Sequence, residues 1–387
     1  MRKWLALGAL ALSITPLHGM EAATLPPATQ KVLTDLKLDP AIMNGLDAEL
    51  AVPKDWLDAA GKEGGVIILG TWRDDEFRRM TGPFSQRYPS VKLQYNRAGN
   101  ASRGTKVVLA LHEGRVIADV ITSVADAYSE FVKLKALADL RELPGFKNLD
   151  SKYVAEDGTW VSYKLAFRCM SYNTDLVKKE DLPRKWDDLV QNPRWGDGKI
   201  ALSDNPNAWL LALWSANGEQ WGKDFTRRLF EELKPQQRKE GMMALTALTV
   251  AGEFQASIPA PERRAESYAN KGAPVSYHCP EPVPITLSQI VMLDKAPHKN
   301  GARLFVNWLL SAEGQLMQYA TSASVPAHKN LQDPRFIPFA ETIIGKPSIA
   351  RGEDLLGSSL GETMLKTWYT YWMKPADEKG SRKTEEE

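Results

Sequence analysis

The chain has 387 residues, with 49 Lys and Arg set against 48 Asp and Glu, 43% hydrophobic residues and 25% charged ones. A formal net charge of +1 excludes a nucleic-acid or anionic-membrane surface as the leading feature, and the composition is that of an ordinary globular protein. The length exceeds what a single core usually organises, so two lobes are expected.

In chain order, Arg2 and Lys3 precede an apolar stretch from Trp4 to Pro16, and the small residues Ala22 and Ala23 follow. A basic start, a short apolar run and an alanine cleavage site compose a secretory signal peptide over 1–23; the alternative is a buried first helix. The stretch is too short and too interrupted to span a bilayer. No cysteine follows it to carry a lipid anchor, and no later run is long enough to cross a membrane, so an exported, soluble protein without membrane insertion is expected. Residues 24–52 hold Pro26-Pro27 and two short helical patterns, and read as an N-terminal extension.

The folded body begins at Pro53. Trp56, Ala59 and Ala60 recur at helical spacing before Gly64-Gly65. Val66 to Gly70 is a short apolar run bounded by glycine, a buried strand. A helix carrying Phe77, Met80 and Phe84 follows, and Val91 to Tyr95 alternates as a second strand. The loop Arg97 to Ser102 opens a helix through Leu111, and Ala118 to Ser123 is a third strand. Strand, helix, strand, helix, strand is the pattern of a parallel sheet covered on both faces. Such sheets bind ligands at the carboxyl ends of their strands, which selects Thr71, Trp72, Arg73, Asn100, Ala101, Ser102, Thr122 and Ser123.

A similar unit recurs. Trp160 to Asn173 reads as a strand, Trp186 begins a helix, Lys199 to Leu202 is a strand, and Asn205-Pro206-Asn207 leads into an apolar helix from Ala208. A strand at Glu253 to Ile258 and a loop from Pro259 to Arg264 come next. The chain then runs through Val275-Ser276-Tyr277 into a proline-rich turn at Pro280, Pro282 and Pro284. Helices over 300–310 and 312–319 follow, and the charged segment 377–387 reads as a disordered tail. Twelve tryptophans and eleven tyrosines suit both cores and organic-ligand clefts. The two cysteines, Cys169 and Cys279, permit one disulfide in an oxidising compartment; two free buried thiols are the alternative. Their spacing suggests no metal site.

Several segments, in order from about 53 to 330, resemble the periplasmic binding proteins that include ferric-iron, thiamine and phosphonate receptors. They are "AAGKEG" before "GVIILG", "PFSQRYPSVKLQY", "GRVIADVITS", "SYNTDLV", "DLPRKWDDLVQNPRWGDGKIALSD", "ANKGAPVSY" and "ARLFVNWLLSAEGQ". The resemblance implies a type 2 periplasmic-binding-protein fold, α/β, with two Rossmann-like lobes of mixed sheet joined by hinge strands. It divides the chain into 53–168 with 278–330 and 169–277 with 331–376. Phe167 to Asn173 and Val275 to Pro282 would be crossover strands; if they lie side by side, Cys169 and Cys279 come within bridging reach. It also implies a monomer that closes by hinge motion on a small-molecule ligand and presents it to an ABC permease in the inner membrane.

Ferric ion favours charged oxygen ligands, and the ferric receptors of that family use a His, a carboxylate and a Tyr-Tyr pair. Those positions fall here at Arg73, near Val124, and around Glu262-Arg263. Arginine cannot ligate a metal. Arg73 and Arg263, or Arg264, can instead fork onto a carboxylate, phosphate or phosphonate. The helix entries at Asn100 and at Asn205 and Asn207 favour anions; Thr122, Ser123 and Ser203 add neutral donors, Trp72 can cover an organic body, and Glu281 can line the cleft. A small organic anion, carboxylated or phosphorylated, is the expected ligand, with ferric iron the competitor and neither metal nor cofactor required. Each residue also has a plain structural role open to it: a solvated arginine, a helix cap, a packed indole. No nucleophile elbow, metal-binding His-Glu helix or phosphate-binding glycine loop occurs. His278 and Cys279 are strand neighbours that point to opposite faces, so an enzyme is not expected. A ligand sensor for a membrane receptor remains an alternative to transport.

Overall fold

The computed structural model describes residues 25–124, 127–342, 347–350 and 358–372; the segments read as a signal peptide and as a charged tail lie outside them. Among the described residues, ten strands form one continuous sheet. We label them β1 (Gly65–Gly70), β2 (Lys92–Arg97), β3 (Val120–Thr122), β4 (Val161–Asn173), β5 (Ile200–Ser203), β6 (Gln236–Arg238), β7 (Ala256–Pro261), β8 (Val275–His278), β9 (Val283–Met292) and β10 (Pro347–Ala350). Their order is β2-β1-β3-β9-β4-β7-β5-β6, with β10 beside β9 and β8 beside β4.

Each half of the sheet is built around parallel pairs: β1 with β2 and β3 in one, β5 with β6 and β7 in the other. Of these, β1, β3, β5 and β7 follow from short apolar runs that are largely buried, while β2 and β6 lie at the two edges and are more exposed. The 54–63 helix before β1 stops where Gly64 takes φ 77°, a left-handed end that glycine adopts without strain. The halves are joined by β4. Its first part pairs with β9 from Val161–Ile290 to Phe167–Ile285, and its second part pairs with β7 from Arg168–Pro261 to Tyr172–Ala256.

Two features depart from the sequence reading. Pro259 to Pro261 complete β7, and helix Glu262–Ala269 starts at once, so 259–264 is not a loop. The strand returning along the first part of β4 is β9, hidden behind the proline-rich stretch; β8 flanks the second part of β4. Pro284 sits at the beginning of β9, where a missing N–H is tolerated.

Buried residues form two main cores. One surrounds β1, β3, β9 and the start of β4; the other gathers Trp186, Trp195, Trp209 and Trp214 with helices Glu219–Glu231 and Ser359–Trp372. A third, smaller cluster packs Leu33, Leu38, Met43 and Leu46 of the N-terminal segment on Ala312, Leu316, Leu331 and Phe336. In the tryptophan-rich core, Gly222 lies flat against the indole of Trp214, leaving no space for a Cβ. Gly222→Ala is therefore expected to cost about 1–3 kcal/mol through overpacking, measurable as a lower urea midpoint.

Candidate functional site

The carboxyl ends of β1 and β3 converge on one phenol. Thr71, just past β1, has its Oγ1 3.4 Å from Tyr163 Oη. Thr122 and Ser123 end β3 near the same phenol, and the Thr122 hydroxyl is buried without a hydrogen-bond partner among the described residues. Ser123 adopts φ 56°, and its N–H donates to Gln289 O at 2.7 Å, which fixes the turn out of the strand. The buried guanidinium of Arg103 donates to Ser123 O and Ala98 O, tying the loop after β2 to the end of β3. Tyr163 is fully buried. Burial alone would raise its pKa, but the Lys164 charge and the surrounding hydroxyls win and hold it below the ordinary phenol value.

A register shift between Ser162 and Lys164 turns β4 so that Lys164, Ala166 and Arg168 share a face beyond it. Ser288 lies opposite Lys164, and Thr286 opposite Ala166, so both belong to that face. The Lys164 ammonium sits 5.3 Å from the Tyr163 ring centre and forms no ion pair among the described residues. Burial, and then the charges of Arg263 and Arg168, depress its pKa. Arg168 Nη1 donates to Phe167 O at 2.9 Å and to Glu262 Oε2 at 3.4 Å. From the start of its helix, Arg263 donates through Nη1 to Ser322 O at 3.3 Å, at the end of helix Ala312–Ser322. Three cations, one carboxylate and a set of hydroxyls thus meet where the halves of the sheet join. Such a group can neutralise an anion and offer it neutral donors.

Beside this face, the Cys169 and Cys279 sulfurs are bonded, with Cα atoms 4.9 Å apart. Met170 pairs with His278 across antiparallel β4 and β8, which puts the two cysteines opposite each other. Tyr277 Oη accepts from Cys169 N and donates to Ala260 O, both at 2.8 Å. His278 Nε2 lies 2.6 Å from Pro183 O, and burial lowers its pKa. The unfolded chain binds this proton more readily, so stability is expected to fall as pH drops below about 6.5, towards the lower folded pKa. Urea unfolding at pH 7.5 and pH 5 should show a smaller acid loss in His278→Gln.

Thr71, Thr122 and Ser123 are brought together around Tyr163, and Arg263 lies within electrostatic reach of Lys164. Trp72 does not reach a ligand surface. It is 2% exposed, packs against Phe77, Tyr95 and Tyr163, and donates its indole N–H to Gln318. Arg73 is exposed at the start of helix Asp74–Met80, in ion pairs with Asp75 at 2.9 Å and Glu76 at 3.4 Å. Asn100, Ala101 and Ser102 lie in the one-turn helix Asn100–Arg103, where Ser102 N–H bonds Gly99 O. Asn205 is exposed. Asn207 Oδ1 is buried without a partner, next to Ala208, whose carbonyl accepts from Thr286. Glu281 is on the turn between β8 and β9, and its N–H donates to Arg184 O. Of the positions aligned with ferric ligands, Val124 is a buried apolar side chain. Among the described residues, no cluster of three His, Cys, Asp or Glu side chains can hold a metal.

The sequence alone does not select Tyr163, Lys164 or Arg168, and it places Glu262 only at a position aligned with the ferric ligands. A readable signal existed: Lys164 and Arg168 are the two charged residues of an otherwise buried strand, an even number of positions apart.

A two-halved α/β receptor with a polar, cationic junction is the class that fold and site define. Residues 70–316 match the family of bacterial extracellular solute-binding proteins. The chain belongs to that family: it is a solute-binding protein, not an enzyme. Its fold is similar to iron-bound HitA from Pseudomonas aeruginosa, at TM-score 0.64 and 18% identity over 79% of this chain and 99% of that one. It is also similar to the periplasmic binding protein AfuA from Actinobacillus pleuropneumoniae with fructose-6-phosphate bound, at TM-score 0.61 and 19% identity over 80% and 99%. Trichodesmium IdiA (FutA) in complex with iron and citrate matches at TM-score 0.67 and 15% identity over 80% and 99%. At such identities the likeness is one of type 2 periplasmic-binding-protein fold. Among curated proteins, none matches the sequence. No described helix is long and apolar enough to cross a membrane.

Proposed function

We propose that this chain is the periplasmic receptor of an ABC importer, and that its ligand is a small organic anion, carboxylated or phosphorylated (phosphonates included). The observation that carries this reading is Lys164. It is a half-buried ammonium beside two guanidinium groups, without a carboxylate in ion-pair contact among the described residues. Burying cations together is unfavourable unless an opposite charge joins them, and an anionic ligand supplies it. The lobes are taken as 53–168 with 278–330 and 169–277 with 331–376, closing over the shared face of β4 and β9. A permease in the inner membrane would be the partner of the closed form.

A thermal-shift screen of carboxylates, phosphate esters, phosphonates, polyamines and ferric salts tests the reading, because a ligand that binds only the native state raises the melting temperature. Anions are expected to stabilise. In Lys164→Met the stabilising anion should bind at least about tenfold more weakly, as expected when one partner of a desolvated charge contact is removed. Stabilisation by ferric salts alone would reverse the ligand assignment in favour of an iron receptor, the cargo printed for HitA and IdiA.

A further inference from the structure

The cationic face already holds one negative group. Glu262 is 2% exposed, yet its contact with Arg168 is a single 3.4 Å hydrogen bond. Elsewhere in this chain a buried carboxylate, Glu313, takes two guanidinium bonds of 2.7 and 2.9 Å from Arg87. Glu262 is therefore enclosed but loosely held. The groups that face it are Arg168 and Lys164 from β4, Tyr277 from β8, and Arg263 and Glu266 from its own helix. The adjoining β7 and helix Met242–Ala251 bring no titratable side chain.

We propose that Glu262 is a resident counter-anion of the binding cluster, displaced from Arg168 by the incoming anion and protonated as it loses that cation. This deepens the anion reading and rests on it. A carboxylate left in a buried site without its guanidinium, and beside a new negative charge, cannot stay ionised at low cost. Burial already raises the Glu262 pKa even with Arg168, Arg263 and Lys164 nearby. The proton comes from solvent and stays on the Glu262 carboxyl. Ligand capture then consumes about one proton, so affinity falls by up to about tenfold per pH unit above the Glu262 pKa. Glu262 thereby also sets specificity, because a ligand must out-compete a carboxylate to hold Arg168.

The test is isothermal titration of the intact protein with sulfate and with oxalate, neither of which titrates near neutral pH, in imidazole and in Tris buffers of different ionisation enthalpy. The expected result is a buffer-dependent heat reporting close to one proton taken up. In Glu262→Gln the uptake should vanish, with tighter binding that no longer varies with pH. Infrared difference spectra of the wild-type protein on sulfate addition should show a protonated carboxyl band, which identifies the group even if the variant does not fold. Anion binding without proton uptake, or with uptake unchanged in Glu262→Gln, overturns the role of Glu262 and leaves the anion site standing. Failure of both anions to bind overturns the site itself, and this inference with it.

Discussion

Glu313→Ala is expected to remove about 3–5 kcal/mol of stability, the cost of taking one partner from a buried ion pair. The Glu313 side chain is 0% exposed and that of Arg87 16%. Besides its two bonds from Arg87, the carboxylate accepts from Thr29 Oγ1 at 2.7 Å and Trp308 Nε1 at 2.9 Å. Alanine leaves a guanidinium, an indole N–H and a hydroxyl in a site closed to water. Glu313 also lies in the first turn of helix Ala312–Ser322, where a negative charge is favourable. The loss extends beyond the pair, because Thr29 belongs to the N-terminal segment. That segment is held at a second point by Glu49, which accepts from Ala312 N at 2.7 Å and His328 Nε2 at 3.1 Å. Urea unfolding should give a strongly lowered midpoint for Glu313→Ala. In Arg87→Ala/Glu313→Ala the two losses should be well short of additive, since both changes break one interaction. Full additivity would mean that the pair does not act as a unit.

The second large effect is expected at the disulfide between the second part of β4 and the residue after β8. Cys169→Ala/Cys279→Ala should cost about 2–5 kcal/mol, chiefly by freeing a loop of more than a hundred residues in the unfolded chain. The sequence separation is 110, near the upper end of what loop closure can contribute. Folding itself should survive, because β4 and β8 remain paired and Tyr277 still bridges Cys169 N and Ala260 O. Thermal melts with and without reductant should show the oxidised wild type well above the alanine pair, and the reduced wild type close to it. Both cysteines are buried, so reductant should act slowly on the folded protein and quickly in denaturant.

What could be read from the sequence follows from how each element is stabilised. The strands β1 and β3 are legible because short apolar runs mark buried strands, and the exposed edge strand β2 is legible from its alternation. β9 was not, because its first residues sit among Pro280, Pro282 and Pro284 and its identity depends on pairing with β4, a contact far away in sequence. The rule about strand ends selects Thr71, Thr122 and Ser123, which lie near Tyr163. The same rule selects Trp72, but strand position does not reveal side-chain direction: its indole turns inward to Gln318. Lys164 and Arg168 escaped because the crossing strand was read for its hydrophobic alternation rather than for the charges on its other face. Arg73 looked equivalent to Arg263, but Asp75 and Glu76 engage its guanidinium locally, whereas Arg263 reaches across to Ser322.

The central claim is that the cationic face of β4 receives an anion. Calorimetric titration of the wild type and Lys164→Met with the anion that stabilises most in the thermal screen tests it most directly. The account predicts saturable binding by the wild type and a loss of at least about tenfold in the variant, with the variant folded as judged by its melting transition. Equal affinity in the two proteins would place the ligand elsewhere and contradict the account.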